Sequence, residues 1–401
     1  MATSRLAGFH AARGFGVVAA LLLASLLAVP VPASSQAAVN LDAVTSRLEP
    51  EIRRAMVEGK IPSITIALVA GDEIVWSSGF GESNLQAGVP ATPQTVYVIA
   101  STVKPMVAGA LLQLQEEGHF ELDDPVRGHL GGLRIQGENP ENPVTFRHLL
   151  THTSGLPSIF SPVPVWADTV PTPMGRYLEE NLRVLGAPLT GIRYSNMGFT
   201  LLGRLVEEIS GTEFREYMRA RIFGPAGMTS TAFAPTPEME ERTAVPYAPS
   251  VDTGRPAPVS RIRFAEWPAG GVWGTVEDQA RWLILNLNGG RIEGSQVLSE
   301  RAVEASHTPQ YDQFRSSMSG GWGDGTAVYG LSWWTMTHEG ERYIAHSGSV
   351  RGYTAFVHAN LDRRLGVALL SNGHRAHGHL VRLSFLATDL LGEHATVAGT
   401  R

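Results

Sequence analysis

Residues 101–118 read STVKPMVAGALLQLQEEG, with Ser101 first, Lys104 and Pro105 in the opening turn and Gly118 last. Val103, Val107, Ala110, Leu111 and Leu114 recur at helical spacing, and Gly118 ends the run. Pro105 would break a helix interior, but in the first turn its missing N–H has no intrahelical partner. The helix is therefore expected to start near Ser101. A helix N-terminus favours developing negative charge at that serine. Lys104 is one of two lysines among 32 lysine and arginine residues. A chain that carries its positive charge as arginine has little use for a lone lysine as a cation. Lysine can instead lose its proton when desolvated, which arginine cannot. Three residues apart on a helix, the two side chains share a face. Ser-x-x-Lys thus reads first as a nucleophile with its base; the alternative is a capping serine beside a surface lysine.

Outward from this helix the chain divides in a regular way. A first helix is expected over residues 41–58. Ser63 to Leu68 alternate, turn at Gly71-Asp72 and resume through Ile74-Val75-Trp76, the pattern of an antiparallel hairpin. From about Thr145 to Asn288 the pattern is mostly helical with Pro/Gly-rich connections. Thr145 is placed to cap a short helix ending at Gly155, and Asn196 to cap one over 197–210. Leu283, Leu285 and Leu287 mark a core helix after Val276, and 316–326 reads as an exposed glycine-rich loop. Strands return at 343–347, 353–360 and 365–372, followed by a closing helix over about 380–391. Two early strands and three late ones imply an α+β fold: an antiparallel five-stranded sheet flanked by helices, with an inserted mainly helical lobe. The sheet lobe is expected from 38–100 and 330–392, the helical lobe from about 101–329, and a tail from 393–401.

Arg5 and Arg13 precede the apolar run Val17 to Val29, and small residues lead to Ser35-Gln36-Ala37. This is the order of a secretory signal, with cleavage expected after Ala37 and a secreted or periplasmic product. The alternative, an uncleaved anchor, needs roughly 20 apolar residues, more than this run supplies. No later stretch is long enough to span a bilayer. The formal charge of -6 argues against nucleic acid or an anionic membrane as partner. The absence of cysteine excludes disulfides, thiol catalysis and cysteine-ligated metal, so any nucleophile is an oxygen.

Two further motifs bear on Ser101 and Lys104. In Tyr194-Ser195-Asn196 the tyrosine would carry protons if a neighbouring cation lowered its pKa, and the asparagine can orient a substrate carbonyl and accept from Lys104. A buried tyrosine with a capping asparagine is the alternative. In His346-Ser347-Gly348, on an expected strand, the glycine would let substrate backbone approach the edge. The N–H of Ser349 would then complete an oxyanion hole with that of Ser101. A strand ending in a polar turn is the alternative.

Ser-x-x-Lys, Tyr-x-Asn and His-x-Gly in this order resemble the three-part pattern of the class C β-lactamase and D-alanyl-D-alanine carboxypeptidase family. The resemblance runs over about residues 41–392 and includes Glu121-Leu-Asp-Asp-Pro-Val126, the segment Thr145 to Pro157, Phe223 to Met228, Pro268-Ala-Gly-Gly271 and Tyr329 to Trp333. It implies a sheet flanked by helices with a helical lobe, and an acyl-enzyme on Ser101. Lys104 and Tyr194 would move the proton, Asn196 would orient substrate and Lys104, and His346 would help hold a carboxylate or relay a proton. The implied substrate is a small molecule or short peptide: a D-alanyl amide, a β-lactam or, on the same site, a small acyl ester. No cofactor and no metal is implied. Dedicated β-lactamases carry lysine at the position of His346, whereas carboxypeptidases, D-amino-acid peptidases and esterases include members with histidine. Arg351 is the candidate for the missing cation, against a solvated turn arginine. A catalytically silent binding or sensor protein on the same fold is the rival of another class.

Three groups read as background. His374, His377 and His379 lack an acidic partner for metal binding and read as a solvated segment. His148 and His152, at helical spacing without a glutamate, read as helix surface or packing. Trp322, Trp333 and Trp334 read as core or as cleft wall.

Overall fold

The computed structural model describes residues 38–159, 162–164, 172–314 and 327–396. The expected signal segment, the glycine-rich loop and Trp322 lie outside the described residues. Among the described residues no helix is long and apolar enough to cross a membrane.

Chain order is helix α1 (Leu41–Gly59), hairpin β1 (Ser63–Ala70) and β2 (Glu73–Asn84), and the short β3 (Val89–Pro90). Helices α2 (Lys104–Glu116), α3 (Phe146–Leu150), α4 (Asn196–Ser210), α5 (Trp267–Gly270) and α6 (Val276–Leu287) occupy the middle of the chain. Strands β4 (Ala327–Tyr329), β5 (Trp334–His338), β6 (Glu341–Val350), β7 (Tyr353–Asn360) and β8 (Leu365–Ser371) precede helix α7 (His377–His394). Among the described residues the sheet has eight strands in the order β4-β5-β6-β7-β8-β1-β2-β3, antiparallel throughout. The five expected strands are all present. The three additional ones, β3, β4 and β5, are two to five residues long, too short for alternation to announce them.

β1 pairs with β8 from Ile64 opposite Ser371 to Ala70 opposite Leu365. This seam joins the two ends of the chain, and it is buried on both faces because alternate residues serve different cores. Ile64, Ile66, Leu68, Leu365, Val367 and Leu369 face the layer of α1 and α7. Ala67, Val69, Ala368 and Leu370 face the layer that includes α2, α4 and α6. A period of two thus builds two hydrophobic layers from one sheet. The expected tail is partly structured: α7 continues to His394, and Ala395–Thr396 pair with Ala38–Val39. The expected helical lobe also carries short strand pairs, Tyr247–Pro249 with Pro256–Pro258 among them.

Buried histidines make the fold acid-labile. His346 and His358 are held neutral, pushed down to about 3 chiefly by burial, and burial holds His152 well below the usual imidazole range. Unfolded, each titrates at about 6.5. Below that value the unfolded chain binds more protons than the folded one, so stability falls as pH falls. Buried Asp278, pushed up to about 6, acts with the opposite sign between pH 6 and 4. His307, likewise pushed down to about 3 chiefly by burial, adds to the histidine side, so the histidines outweigh the aspartate and the unfolded chain binds more protons below pH 6. Urea unfolding at pH 7.5, 6 and 5 should therefore show a steep loss of stability below pH 6; a flat profile would refute the assignment.

Candidate active site

The chain reaches Ser101 through a strained turn. Tyr97–Val98 pair with Trp273–Gly274, the Ile99 N–H donates to Val272 O at 2.9 Å, and Ala100 then takes φ +49. A left-handed alanine costs about 1–2 kcal/mol. Ser101 lies in the 3₁₀ turn Ala100–Val103, and the α-helix begins at Lys104, later than the expected start. Pro105 supplies the reason. In an α-helix the Ser101 carbonyl would accept from residue 105, which has no N–H, so it accepts from the Lys104 N–H instead. Three residues per turn eclipse positions i and i+3, which sets Lys104 Nζ 2.9 Å from Ser101 Oγ.

The Lys104 side chain is fully buried. Nζ also lies 3.0 Å from Asn196 Oδ1 and 2.5 Å from the Ala269 carbonyl oxygen. Burial alone holds its pKa well below the ordinary lysine value, with no carboxylate to offset it. Two of its three partners can only accept. A neutral amine has two N–H bonds for those two acceptors and one lone pair for the third direction, where the Ser101 hydroxyl stands. The arrangement matches a base facing its acid.

Asn196 is free for this contact because Ser195, not Asn196, caps α4: Ser195 Oγ accepts from the Gly198 N–H at 2.8 Å. The half-buried Tyr194 hydrogen-bonds the Ser101 hydroxyl. Burial raises its pKa and the bond to Ser101 offsets this only in part. The expected cation-induced lowering is absent, since the neighbouring lysine is itself desolvated. Tyr194 stays a phenol.

His346 differs from expectation in the same way. Its Nδ1–H donates to Ser347 O at 2.8 Å and its Nε2 accepts from the Tyr329 hydroxyl at 3.2 Å. Both ring nitrogens are engaged and the ring is neutral, so it presents no charge to a carboxylate. Gly348 meets the protein's own backbone rather than substrate. A Cβ there would stand 2.3 Å from the Ile99 carbonyl oxygen and 3.0 Å from Ser101 N, so only glycine lets β6 lie against the nucleophile turn. β5 pairs with β6 only as far as Ala345, leaving 346–350 as an open edge. The two-residue turn Arg351-Gly352 makes Val350 and Tyr353 the hydrogen-bonded pair, and alternation then directs the exposed Ser349 N–H to that edge. Arg351 sits exposed at the hairpin tip and makes no ion pair with a described residue.

The sequence did not single out two contributors. The Ala269 carbonyl is a backbone group and carries no side-chain signal. His152 reads as helical only by spacing; α3 ends at Leu150, and His152 turns inward with φ +58 to lie on Tyr194, ring centroids 4.1 Å apart. His148 stays at the helix start, its Nδ1 accepting from the Thr145 N–H. Trp333 and Trp334 are buried. Among the described residues no three His, Cys, Asp or Glu side chains are grouped to hold a metal.

Comparison with known proteins adds to this picture. The family model described as Beta-lactamase matches residues 48–388. Penicillin-binding protein 4 of Amycolatopsis lactamdurans is 28% identical over 348 residues, covering 85% of this chain and 87% of that protein. Protein flp of Staphylococcus aureus (strain COL) is 26% identical over 328 residues, 80% of this chain, and the match spans 61% of the relative's length. Among solved structures, the octameric penicillin-binding protein homologue from Pyrococcus abyssi is 28% identical with TM-score 0.73, covering 87% of this chain and 77% of that one. A class C beta-lactamase shares the fold at 18% identity and TM-score 0.71, covering 87% of this chain and 97% of that chain.

Two substitutions test the geometry through the rate at which an organophosphonate labels Ser101. Gly348→Ala should slow labelling about 100-fold, since misplacement by about 1 Å costs that much, and lower stability by about 1–3 kcal/mol; unchanged labelling would show that the strand does not abut the nucleophile turn. Asn196→Asp places a carboxylate 3.0 Å from Nζ and should hold the proton on the amine. Labelling at pH 7 should fall about tenfold or more and its acid limb move to higher pH; a limb that stays put would mean Lys104 is not the group titrating.

Proposed function

The chain belongs to the Beta-lactamase family, and on that premise we propose that it is an exported serine hydrolase working through an acyl-enzyme. The observation that carries this reading is the buried Lys104, its Nζ within 3.0 Å of Ser101 Oγ, Asn196 Oδ1 and the Ala269 carbonyl oxygen, with burial holding its pKa well below the ordinary lysine value. Ser101 Oγ attacks an acyl carbon as its proton passes to Lys104. The oxyanion gathers at the N–H groups of Ser101 and Ser349. The ammonium formed is accommodated by its oxygen partners and by the ring faces of Tyr194 and Phe199, 4.8 and 5.5 Å from Nζ. The Tyr194 phenol then delivers a proton to the leaving group and takes one back from the Lys104 ammonium, which returns to the neutral amine. Water enters, loses its proton along the same path and releases the acid, regenerating Ser101.

D-alanyl peptide amides and β-lactams are the first substrate reading, and the name of the Amycolatopsis relative, a penicillin-binding protein, supports the β-lactam part. Small acyl esters are a second, favoured by one observation. With both nitrogens of His346 engaged inside the protein, the position beside Tyr194 offers no cation to a substrate carboxylate. A silent penicillin-binding role is the remaining alternative. Intact mass after exposure to a penicillin and to an organophosphonate decides it: an adduct on the wild type that is absent from Ser101→Ala is expected, and an equal adduct on both would defeat the nucleophile assignment. Comparing kcat/KM for a nitrophenyl ester, a chromogenic cephalosporin and a D-Ala-D-Ala peptide ranks the substrates: a leading cephalosporin or peptide supports the first reading, a leading ester the second. Lys104→Arg puts at this position a cation that cannot shed its proton, so acylation should fall by about 10²–10⁴-fold with the fold retained; survival of activity would reduce Lys104 to a counter-ion.

A further inference from the structure

His152 holds the chain before, at and after Tyr194. Its backbone carbonyl accepts from the Arg193 N–H at 2.7 Å. Its ring Nδ1 accepts from the Ser195 N–H at 3.0 Å. Between the two tethered residues, the Tyr194 ring lies against the imidazole with 37° between planes. The imidazole is itself wedged by Tyr329 and Phe199, with centroids 5.0 and 5.1 Å away.

The chemical state of the ring follows from these contacts. Nδ1 accepts, so a neutral imidazole carries its proton on Nε2. Burial disfavours the charged form. The Nε2–H is buried and finds no hydrogen-bond partner among the described residues. Leaving such a donor unpaired costs about 1–3 kcal/mol, and a left-handed backbone at a residue with a side chain about 1–2 kcal/mol. Phenylalanine would avoid the first cost and glycine the second. Neither supplies a flat ring and an acceptor nitrogen together, and that combination is what Tyr194 and Ser195 require.

We propose that His152 is a positioning residue that aims the Tyr194 hydroxyl at Ser101, without exchanging a proton with substrate itself. The inference rests on the serine-hydrolase reading. His152→Asn keeps a residue that tolerates φ +58 and an acceptor oxygen but removes the ring; His152→Phe keeps a ring and removes the acceptor. Each should lower kcat/KM for a nitrophenyl ester about 10–100-fold, through kcat, with KM within about threefold. In a Tyr194→Phe background the same substitutions should cost less than about threefold, because no hydroxyl remains to be aimed. Equal losses in both backgrounds, or losses that track thermal stability alone, overturn the proposal, as does full activity of His152→Asn. Nitrogen-15 NMR of the wild type should show a neutral ring protonated at Nε2 at pH 7, and an imidazolium or an Nδ1–H tautomer overturns it without any variant. Labelling of wild-type Ser101 by an organophosphonate separates the two readings. Without an adduct both fall; with one that forms equally fast in His152→Asn, only the positioning role falls.

Discussion

Taking a lysine amine out of water without giving it a carboxylate is the constraint around which this structure is organised. A buried ammonium with no counter-charge is costly, and the cheaper state is the free amine. That state survives only if its two N–H groups find acceptors and its lone pair faces a proton source. Asn196 at the head of α4 and the carbonyl of Ala269 in α5 supply the acceptors, and Ser101 in the 3₁₀ turn supplies the proton. The three come from positions 101, 196 and 269. The packing of α2 against α4 and α5 is therefore also the arrangement that sets the protonation state of one nitrogen.

The walls of the site follow the same electrostatic rule. Tyr194, Tyr329, His152 and His346 surround the nucleophile as neutral groups, each kept so by burial. In such surroundings a charge created during reaction is felt strongly, because little water screens it. Charge is thus absent at rest and appears on the Ser101 oxyanion and Lys104 together. The second contribution is steric: Gly348 brings the open edge of β6 against the turn of Ile99, Ala100 and Ser101, and Ala100 bears backbone strain there. Strain of this size persists where surrounding contacts over-determine the conformation, here the bonds of Ile99 to Val272 and of Thr102 Oγ1 to Ile99 O.

Much of the fold was legible because it follows from periodicity. The spacing of Val107, Leu111 and Leu114 marks α2, which starts three residues after the expected Ser101; alternation marks β1 to within two residues, and apolar runs mark β7 and β8 to within one. The strands that escaped notice are those too short to show a period. Ser101, Lys104, Tyr194 and Asn196 were legible as residue types whose chemistry is specific. His152 was not, since its spacing from His148 suggested a helix that in fact stops two residues earlier.

The sequence alone determined which atoms were available: one lysine three residues from a serine, a proline directly after the lysine, and a tyrosine and an asparagine on either side of Ser195. These are local facts, decided by bonds a few residues long. Only the tertiary structure decided the charge those atoms carry. Lys104, Tyr194, His152 and His346 all depart from their ordinary protonation behaviour because of burial, and burial depends on segments as much as 245 positions apart packing together, as Ser101 and His346 do in sequence. Desolvation is a property of the assembled core, so it has no signature in any one stretch of chain.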